Sequence, residues 1–512
     1  MGGIELVALA ETLADLPRRA AERFGSKIAL HASETAFSFV DIERRVAAVA
    51  GGLLQHGIKS GDRVVLHLPN TWQWIVSYYA IARIGAVIVP ANILLVTEEI
   101  RFIVGDCGAA AIIALSTRIA ELRDGPLGPT PGLHICVGAP VEGASSWDSL
   151  LGGAPASQVS SVDPLSVATI GYTSGTTGRT KGAVLSHRNV MINTAMTATM
   201  HVRTPHDVVV TALPCSHVYG NVVMNAAFLC GYTLILLERF EVELALENIE
   251  RYKATLFEGV PTMYYYILGC DSLGKRDMRS LTRLTVGGQT MPLAHLREVE
   301  LRLNCPVLEL WGMTEIAGLG TTHPAYLPPR LGSIGQALPW SECRIGSIED
   351  PSRSVREGDP GELLIRGPTV MQGYLDRPEA TQEAFVNEGW LRTGDIAYRD
   401  ADGYLFVVDR VKEMIITAGY NIYPSELERV IAEHPAVRMA AVGAVPDEAK
   451  GELAHAYVVL KADAQLDESN LLNYCRAHLA AYKVPKRIHF VGDLPKTSTG
   501  KIIRRALRSL NP

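Results

Sequence analysis

Apolar positions at helical spacing alternate with short strand-like apolar runs between residues 13 and 120, and a second alternation fills the last hundred residues. At 512 residues the chain is too long for one hydrophobic core. These observations predict an α/β fold: a large N-terminal region of helix-covered, largely parallel sheets, then a β-barrel-like subdomain, then a small α+β domain.

Residues 13–25 and 39–56 carry helical periodicity, and 62–69 reads as a buried strand ended by Pro69-Asn70. Residues 72–84 are helical and 87–90 strand-like. Thr97 is expected to cap a helix whose first turn holds Glu98 and Glu99, as the helix dipole prefers. Residues 109–115 form a further strand, and 124–163, rich in Gly, Pro, Ala and Ser, read as a loose connection. Strands at 167–171 and 183–185 flank residues 172–181, Tyr-Thr-Ser-Gly-Thr-Thr-Gly-Arg-Thr-Lys. Two glycines that permit close backbone approach, several hydroxyls and two cations make this a phosphate-gripping loop, a turn between strands at a sheet edge. It is not a Walker loop, because Lys181 precedes Gly182 where that pattern needs Ser or Thr.

Ser186 caps a helix to about Met200, and a strand at 208–214 delivers Cys-Ser-His-Val-Tyr-Gly at 215–220. Residues 218–237 lack a charged side chain, but Gly231 breaks the run, so a buried helix followed by a buried strand is expected rather than a membrane span. Short strands at 284–286 and 307–310 run into Gly287-Gly288-Gln289 and Trp311-Gly312-Met313-Thr314-Glu315. Small and polar residues just past the C-terminal ends of strands are where open α/β sheets bind ligands. Between 330 and 409, short alternating strands with Gly and Pro turns mark the β-barrel-like subdomain, which carries Arg392-Thr-Gly-Asp395. Asp409-Arg410-Val411-Lys412 follows a strand, and the C-terminal alternation then runs to Pro495-Lys-Thr-Ser-Thr-Gly500-Lys501.

Composition excludes several function classes. The net charge of −6 offers no basic field for nucleic acid, and the eight cysteines show neither Cys-x-x-Cys nor zinc spacing, as suits buried thiols in a reducing cytosol. Charged residues within the first twenty interrupt any secretory leader.

These motifs, in this order, resemble the adenylate-forming superfamily: acyl-CoA and aryl-CoA synthetases, peptide-synthetase adenylation domains and luciferase, with the look of bacterial fatty-acid or 4-coumarate type ligases. The resemblance implies an AMP-forming carboxylic acid:CoA ligase using ATP, Mg²⁺ and coenzyme A. It divides the chain into an N-terminal domain, 1–409, and a mobile C-terminal domain, 410–512. Thr173, Ser174, Gly175, Thr176, Thr177, Gly178 and Lys181 would hold the ATP phosphates. Gly288, Gln289, Trp311, Gly312 and Met313 would surround adenine. Thr314 would touch phosphate and Glu315 would hold magnesium. Asp395 and Arg410 would bind the ribose, Lys412 would be the hinge, and Gly419 with Tyr420 would border the CoA tunnel. Lys501 would bridge carboxylate and α-phosphate, and His217 would border acid and ATP.

The acyl pocket is expected from His217, Val218, Asn221, Gln289, Leu310, Gly312 and Leu319, with Val223, Met224 and Tyr265-Tyr266 as further candidates. Tyr265, Tyr266, Val223, Met224, Gln289 and Leu319 include no acidic or basic side chain, which makes an amino acid or a dicarboxylate a poor fit and points to an aliphatic or aromatic acid. Family ligases commonly carry glycine before the motif's aromatic residue, so Leu310 is expected to narrow the pocket. The short stretch after Lys501 predicts no carrier module. A stand-alone ligase loading a carrier protein, and a luciferase-like oxygenase, remain alternatives; a non-catalytic nucleotide binder should lack Lys501 or Glu315. No integral membrane segment is expected, a homodimer is a candidate assembly, and the cytoplasm is the expected location.

Overall fold

A computed structural model describes residues 12–124, 131–156, 161–173, 180–411, 413–417, 420–447, 450–496 and 502–510. Among the described residues two large sheets build the N-terminal domain. In one, strands Val307–Met313, Arg283–Val286, Leu256–Gly259, Val208–Thr211, Thr233–Leu236 and Ile28–Ala32 lie side by side and parallel. The other is ordered Gly373–Tyr374, Lys181–Ser186, Val167–Thr173, Val87–Pro90, Arg63–His67, Ala111–Leu115, Leu133–Val137 and Ser145–Ser146. Helices Trp72–Arg83 and Val218–Cys230 are apolar on almost every face, as helices packed on all sides must be. They are stitched together by the Tyr79 hydroxyl, which donates to Asn225 at 2.9 Å.

The phosphate-loop hairpin has the expected form: Val167–Thr173 and Lys181–Ser186 pair antiparallel, with Thr173 opposite Lys181. The two-residue strand Gly373–Tyr374 covers the outer one, so the loop lies one strand in from the sheet edge. Ser186 caps the next helix, accepting from the Asn189 amide while the Asn189 side chain accepts from the Ser186 N–H.

Three expectations change. Residues 124–163 are not merely a connection: Leu133–Val137 pairs parallel with Ala111–Leu115 and extends the sheet, because its apolar run is buried there. Thr97 is not the cap but the first helical residue. Val96 is the cap, its N–H satisfied by Glu99, while the Thr97 hydroxyl donates to Glu121. The β-barrel-like subdomain is an antiparallel sheet of Glu342–Gly346, Gly361–Arg366, Trp390–Arg399, Phe385–Val386 and Leu405–Arg410, whose pairings do not close into a ring.

The C-terminal domain has its own sheet, built on the long antiparallel pair Val437–Asp447 and Gly451–Leu460. Its own core includes Ile415, Leu427, Ile431, Val442, Leu471 and Ile488. Between the last strand of the antiparallel subdomain, ending at Arg410, and the first C-terminal strand, beginning at Ile415, only residues 411–414 connect the two bodies. No described helix is long and apolar enough to cross a membrane.

Candidate active site

A cavity of about 610 Å³ opens where the C-terminal ends of the parallel strands meet the phosphate-loop hairpin and the antiparallel subdomain. One half is polar. Thr173, the last residue of its strand, donates to Glu315 Oε1 at 3.4 Å, and the Tyr374 hydroxyl donates to the same oxygen at 2.9 Å. Lys181 sits 5.3 Å from the centre of the Tyr374 ring. Glu315 occupies the short turn Thr314–Ile316 and is buried. Burial pushes its carboxyl above the ordinary carboxylate range, opposed by hydrogen bonds from its own N–H, Tyr374 and Thr173 and by the Arg410 charge. A cation beside it would therefore find a carboxylate poised to ionise in its presence. Gly171 is obligatory here: a Cβ on it would lie 2.5 Å from Thr314 Cγ2, so its absence lets Thr314 into the hairpin.

Among the described residues no cluster of three or more acidic, His or Cys side chains could hold a metal alone. Magnesium in nucleotide sites takes one or two carboxylates and completes its shell with phosphate and water. Glu315, flanked by hydroxyls and facing Lys181, fits that donor set.

Trp311, Asp395 and Arg410 form one constellation. The Trp311 indole donates to Asp395 Oδ2 and the Arg410 guanidinium to Oδ1, each at 2.8 Å. A carboxylate has about four acceptor positions, so Asp395 retains capacity for ribose hydroxyls. Trp311 does not lie just past its strand, as its motif position suggests. Val307–Met313 continues through it, because Leu310–Met313 pair antiparallel with Gly318–Thr322. Gly312 allows this: a Cβ there would meet the Gly318 carbonyl at 2.0 Å. Gly288, Gln289, Trp311, Gly312, Asp395 and Arg410 line a connected smaller cavity of about 150 Å³.

Glu309, on the wall of this smaller cavity, was not singled out by sequence. Burial pushes its carboxyl from 4.5 to about 8, opposed by the Gly332 N–H it accepts at 2.6 Å. A folded value above the unfolded one means that the neutral carboxyl stabilises the fold fully below pH 4.5, and that this contribution is lost as pH rises towards 8. The loss is about 1.4 kcal/mol for each pH unit crossed. Glu309→Gln keeps a carbonyl acceptor for Gly332 but has no proton to lose. It should shrink the fall in melting temperature between pH 5 and pH 9, and an unchanged pH slope in thermal unfolding would refute the assignment.

The other half of the large cavity is apolar and comes from Leu213, Pro214, Tyr219, Val260, Gly288 and Gly312, with Gln289 and His217. His217 caps the helix Val218–Cys230, its Nδ1 accepting from the Tyr219 N–H at 3.3 Å, which fixes the ring at the cavity wall. Several pocket expectations fail. Val218 and Asn221 do not line the cavity; the Asn221 amide accepts from Tyr78 and Asn225 instead. Val223, Met224 and Leu319 are core residues. Tyr265 faces the C-terminal domain and Tyr266 is half exposed.

Leu310 likewise belongs to neither half. Its Cδ1 lies where a Cβ on Gly287 would come within 2.2 Å, so it covers the Gly-Gly turn and lines the smaller cavity. Leu310→Gly should therefore cost ~2–5 kcal/mol of stability, as large-to-small core changes do. Kinetics on an acid series should give an unchanged order of preference; a selective gain for longer acids would restore the pocket reading.

Ser174, Gly175, Thr176, Thr177, Gly178, Lys412, Gly419 and Lys501 lie outside the described residues. Tyr420 stacks on Tyr482 with ring centres 4.8 Å apart and lines neither of these two cavities. Ile502 lines a third cavity with Gln289, Thr290 and Tyr265. Arg504 ties this segment across the connection, bonding Asp409 at 3.4 Å, Glu428 at 2.7 Å and also Glu413. Sequence reasoning missed Tyr219, Val260 and Tyr374. Tyr219 carried a signal two residues after His217; the others are brought in by strand order alone.

Comparisons with known proteins agree with this geometry. The family model of the AMP-binding enzyme matches residues 17–375, and that of the AMP-binding enzyme C-terminal domain matches 426–501. A long-chain-fatty-acid–CoA ligase of Escherichia coli O157:H7 is 34% identical over 97% of this chain and 94% of its own. A 2-succinylbenzoate–CoA ligase of Bacillus licheniformis is 34% identical over 96% of this chain and 98% of its own. The crystal structure of ATP-bound MatB from Rhodopseudomonas palustris superposes with a TM-score of 0.87 at 30% identity, covering 97% of this chain and 98% of the other. With the phosphate hairpin and the buried Glu315 on one cavity and the Trp311–Asp395–Arg410 constellation on a second that shares Arg410 with it, the chain belongs to the AMP-binding enzyme family, the adenylate-forming superfamily.

Proposed function

We propose that the chain is an AMP-forming carboxylic acid:CoA ligase acting on an aliphatic acid of short to medium length or an aromatic acid. The observation that carries this reading is the single cavity with an apolar half next to a phosphate-ready polar half. A carboxylate oxygen attacks the α-phosphorus of ATP, the bond to the bridging oxygen breaks and pyrophosphate leaves. The CoA thiol, losing its proton, then attacks the acyl carbonyl and AMP departs. Trp311, Gly288, Gln289 and Met313 hold the base, Asp395 and Arg410 the ribose, and Thr173, Lys181 and the 174–178 loop the phosphates. Thr314 positions phosphate beside the reacting carboxylate and His217 orders the acid. Glu315 would hold magnesium, which when bound neutralises phosphate charge.

In this proposal Lys501 bridges carboxylate and α-phosphate, residues 1–409 and 410–512 are the two moving bodies, and pantetheine enters past Gly419. The location is the cytosol, which suits eight unpaired cysteines, six of them buried. The assembly is a homodimer, which sedimentation would test. Incubation with Mg-ATP, CoA and a panel of aliphatic and aromatic acids, followed by AMP release, tests the reaction. Acid-dependent but CoA-independent turnover, or acceptance of a carrier protein in place of CoA, would replace it.

A further inference from the structure

Behind the apolar half of the cavity lies a buried polar chain that no motif contains. Tyr219, whose ring lines the cavity, brings its hydroxyl to 2.6 Å from Thr285 Oγ1, and Thr285 donates to Glu258 Oε2 at 2.9 Å. Glu258 Oε1 is engaged by the Arg203 guanidinium. All four side chains are buried, Thr285 and Glu258 at 0% and 1% exposure. Proton counting fixes the direction. A carboxylate facing a guanidinium only accepts, and Thr285 has one proton, which it gives to Glu258, so the Tyr219 hydroxyl must donate to Thr285.

We propose that Glu258, acting through Thr285, is a positioning residue that commits the Tyr219 hydroxyl away from the cavity, so that Tyr219 offers the acid carbon alone and the enzyme disfavours acids whose distal hydroxyl would lie against this ring. The proposal rests on the ligase reading above. Tyrosine would ordinarily be the wall's one hydroxyl able to greet a polar substituent; here it is already spent. A distal hydroxyl against this ring would be stripped of water without a partner there, and an apolar surface disfavours such a group by up to about a hundredfold. The wall's position has the same origin: Glu258, Thr285 and Tyr219 belong to the elements that deliver Val260, Gly288 and His217 to the cavity.

The test compares kcat/KM for an unsubstituted acid and its distally hydroxylated analogue of equal length in the wild type and three variants. Thr285→Val breaks the relay and strands the Tyr219 hydroxyl, leaving Glu258 paired with Arg203. Thr285→Ser retains the relay, and Tyr219→Phe removes the hydroxyl altogether. The wild type, Thr285→Ser and Tyr219→Phe should prefer the unsubstituted acid alike. Thr285→Val should lose roughly tenfold of that preference, the equivalent of about 1.4 kcal/mol, with KM for ATP unchanged. An unchanged ratio in folded Thr285→Val overturns the proposal, as does an equal shift in Tyr219→Phe, which would mean that the wall merely loosens. Absence of acid-dependent AMP release from the wild type overturns the ligase reading and this proposal with it, an outcome distinct from an active wild type with an unmoved ratio.

Discussion

Lys501→Ala is expected to abolish acyl-adenylate formation, with a loss of at least ~10² in rate, while the conversion of supplied acyl-AMP to thioester continues. The physical basis is charge. A carboxylate must approach a polyphosphate, and negative charge grows on the transferring group, so a cation at the meeting point lowers the barrier far more than it strengthens binding. Ile502 lines a cavity with Gln289 and Tyr265, and Lys496 rests 5.9 Å from the centre of the Tyr266 ring, so these two residues lie against the N-terminal domain. Pyrophosphate release in the first half-reaction and thioester formation from synthetic acyl-AMP read the two steps separately. Equal losses in both would remove the assigned role. Acetylation of Lys501, which deletes the charge, should reproduce the alanine variant.

Lys412→Pro is expected to do the reverse, sparing adenylation and cutting thioester formation by roughly a hundredfold or more, as the proposed rotation of the C-terminal domain between the two steps requires. Residues 411–414 alone join strand Leu405–Arg410 to strand Ile415–Thr417, so any rotation of the C-terminal domain must be absorbed in four residues. Proline holds φ near −65° and restricts the residue before it as well, removing much of that freedom. The Arg504 bonds to Asp409, Glu413 and Glu428 hold the two sides of the connection together in the orientation observed. Thioester production at the unmutated rate would exclude alternation about this residue.

The sequence by itself determined what is local. The phosphate hairpin, the Ser186 cap, the buried helix and strand between 218 and 236, and the alternation of helix and strand in the last hundred residues were all legible. Each depends on periodicity, glycine and capping chemistry within a few residues. The superfamily was legible too, because the groups that would meet ATP stand in short contiguous motifs.

Tertiary structure alone decided which side chains share a wall. Trp311 and Asp395 are 84 residues apart, and their hydrogen bond arises only because the antiparallel subdomain docks on the end of strand Val307–Met313. Leu310 turned from the acyl pocket to the Gly287 turn, and Val96 took the capping role from Thr97, since neighbouring elements had claimed those positions. The chain from Arg203 through Glu258 and Thr285 to Tyr219 joins four segments across 82 residues, with no motif to announce it. Parallel sheets pair strands distant in sequence, so the identity of a cavity wall is set by strand order, a property that no local window of residues encodes.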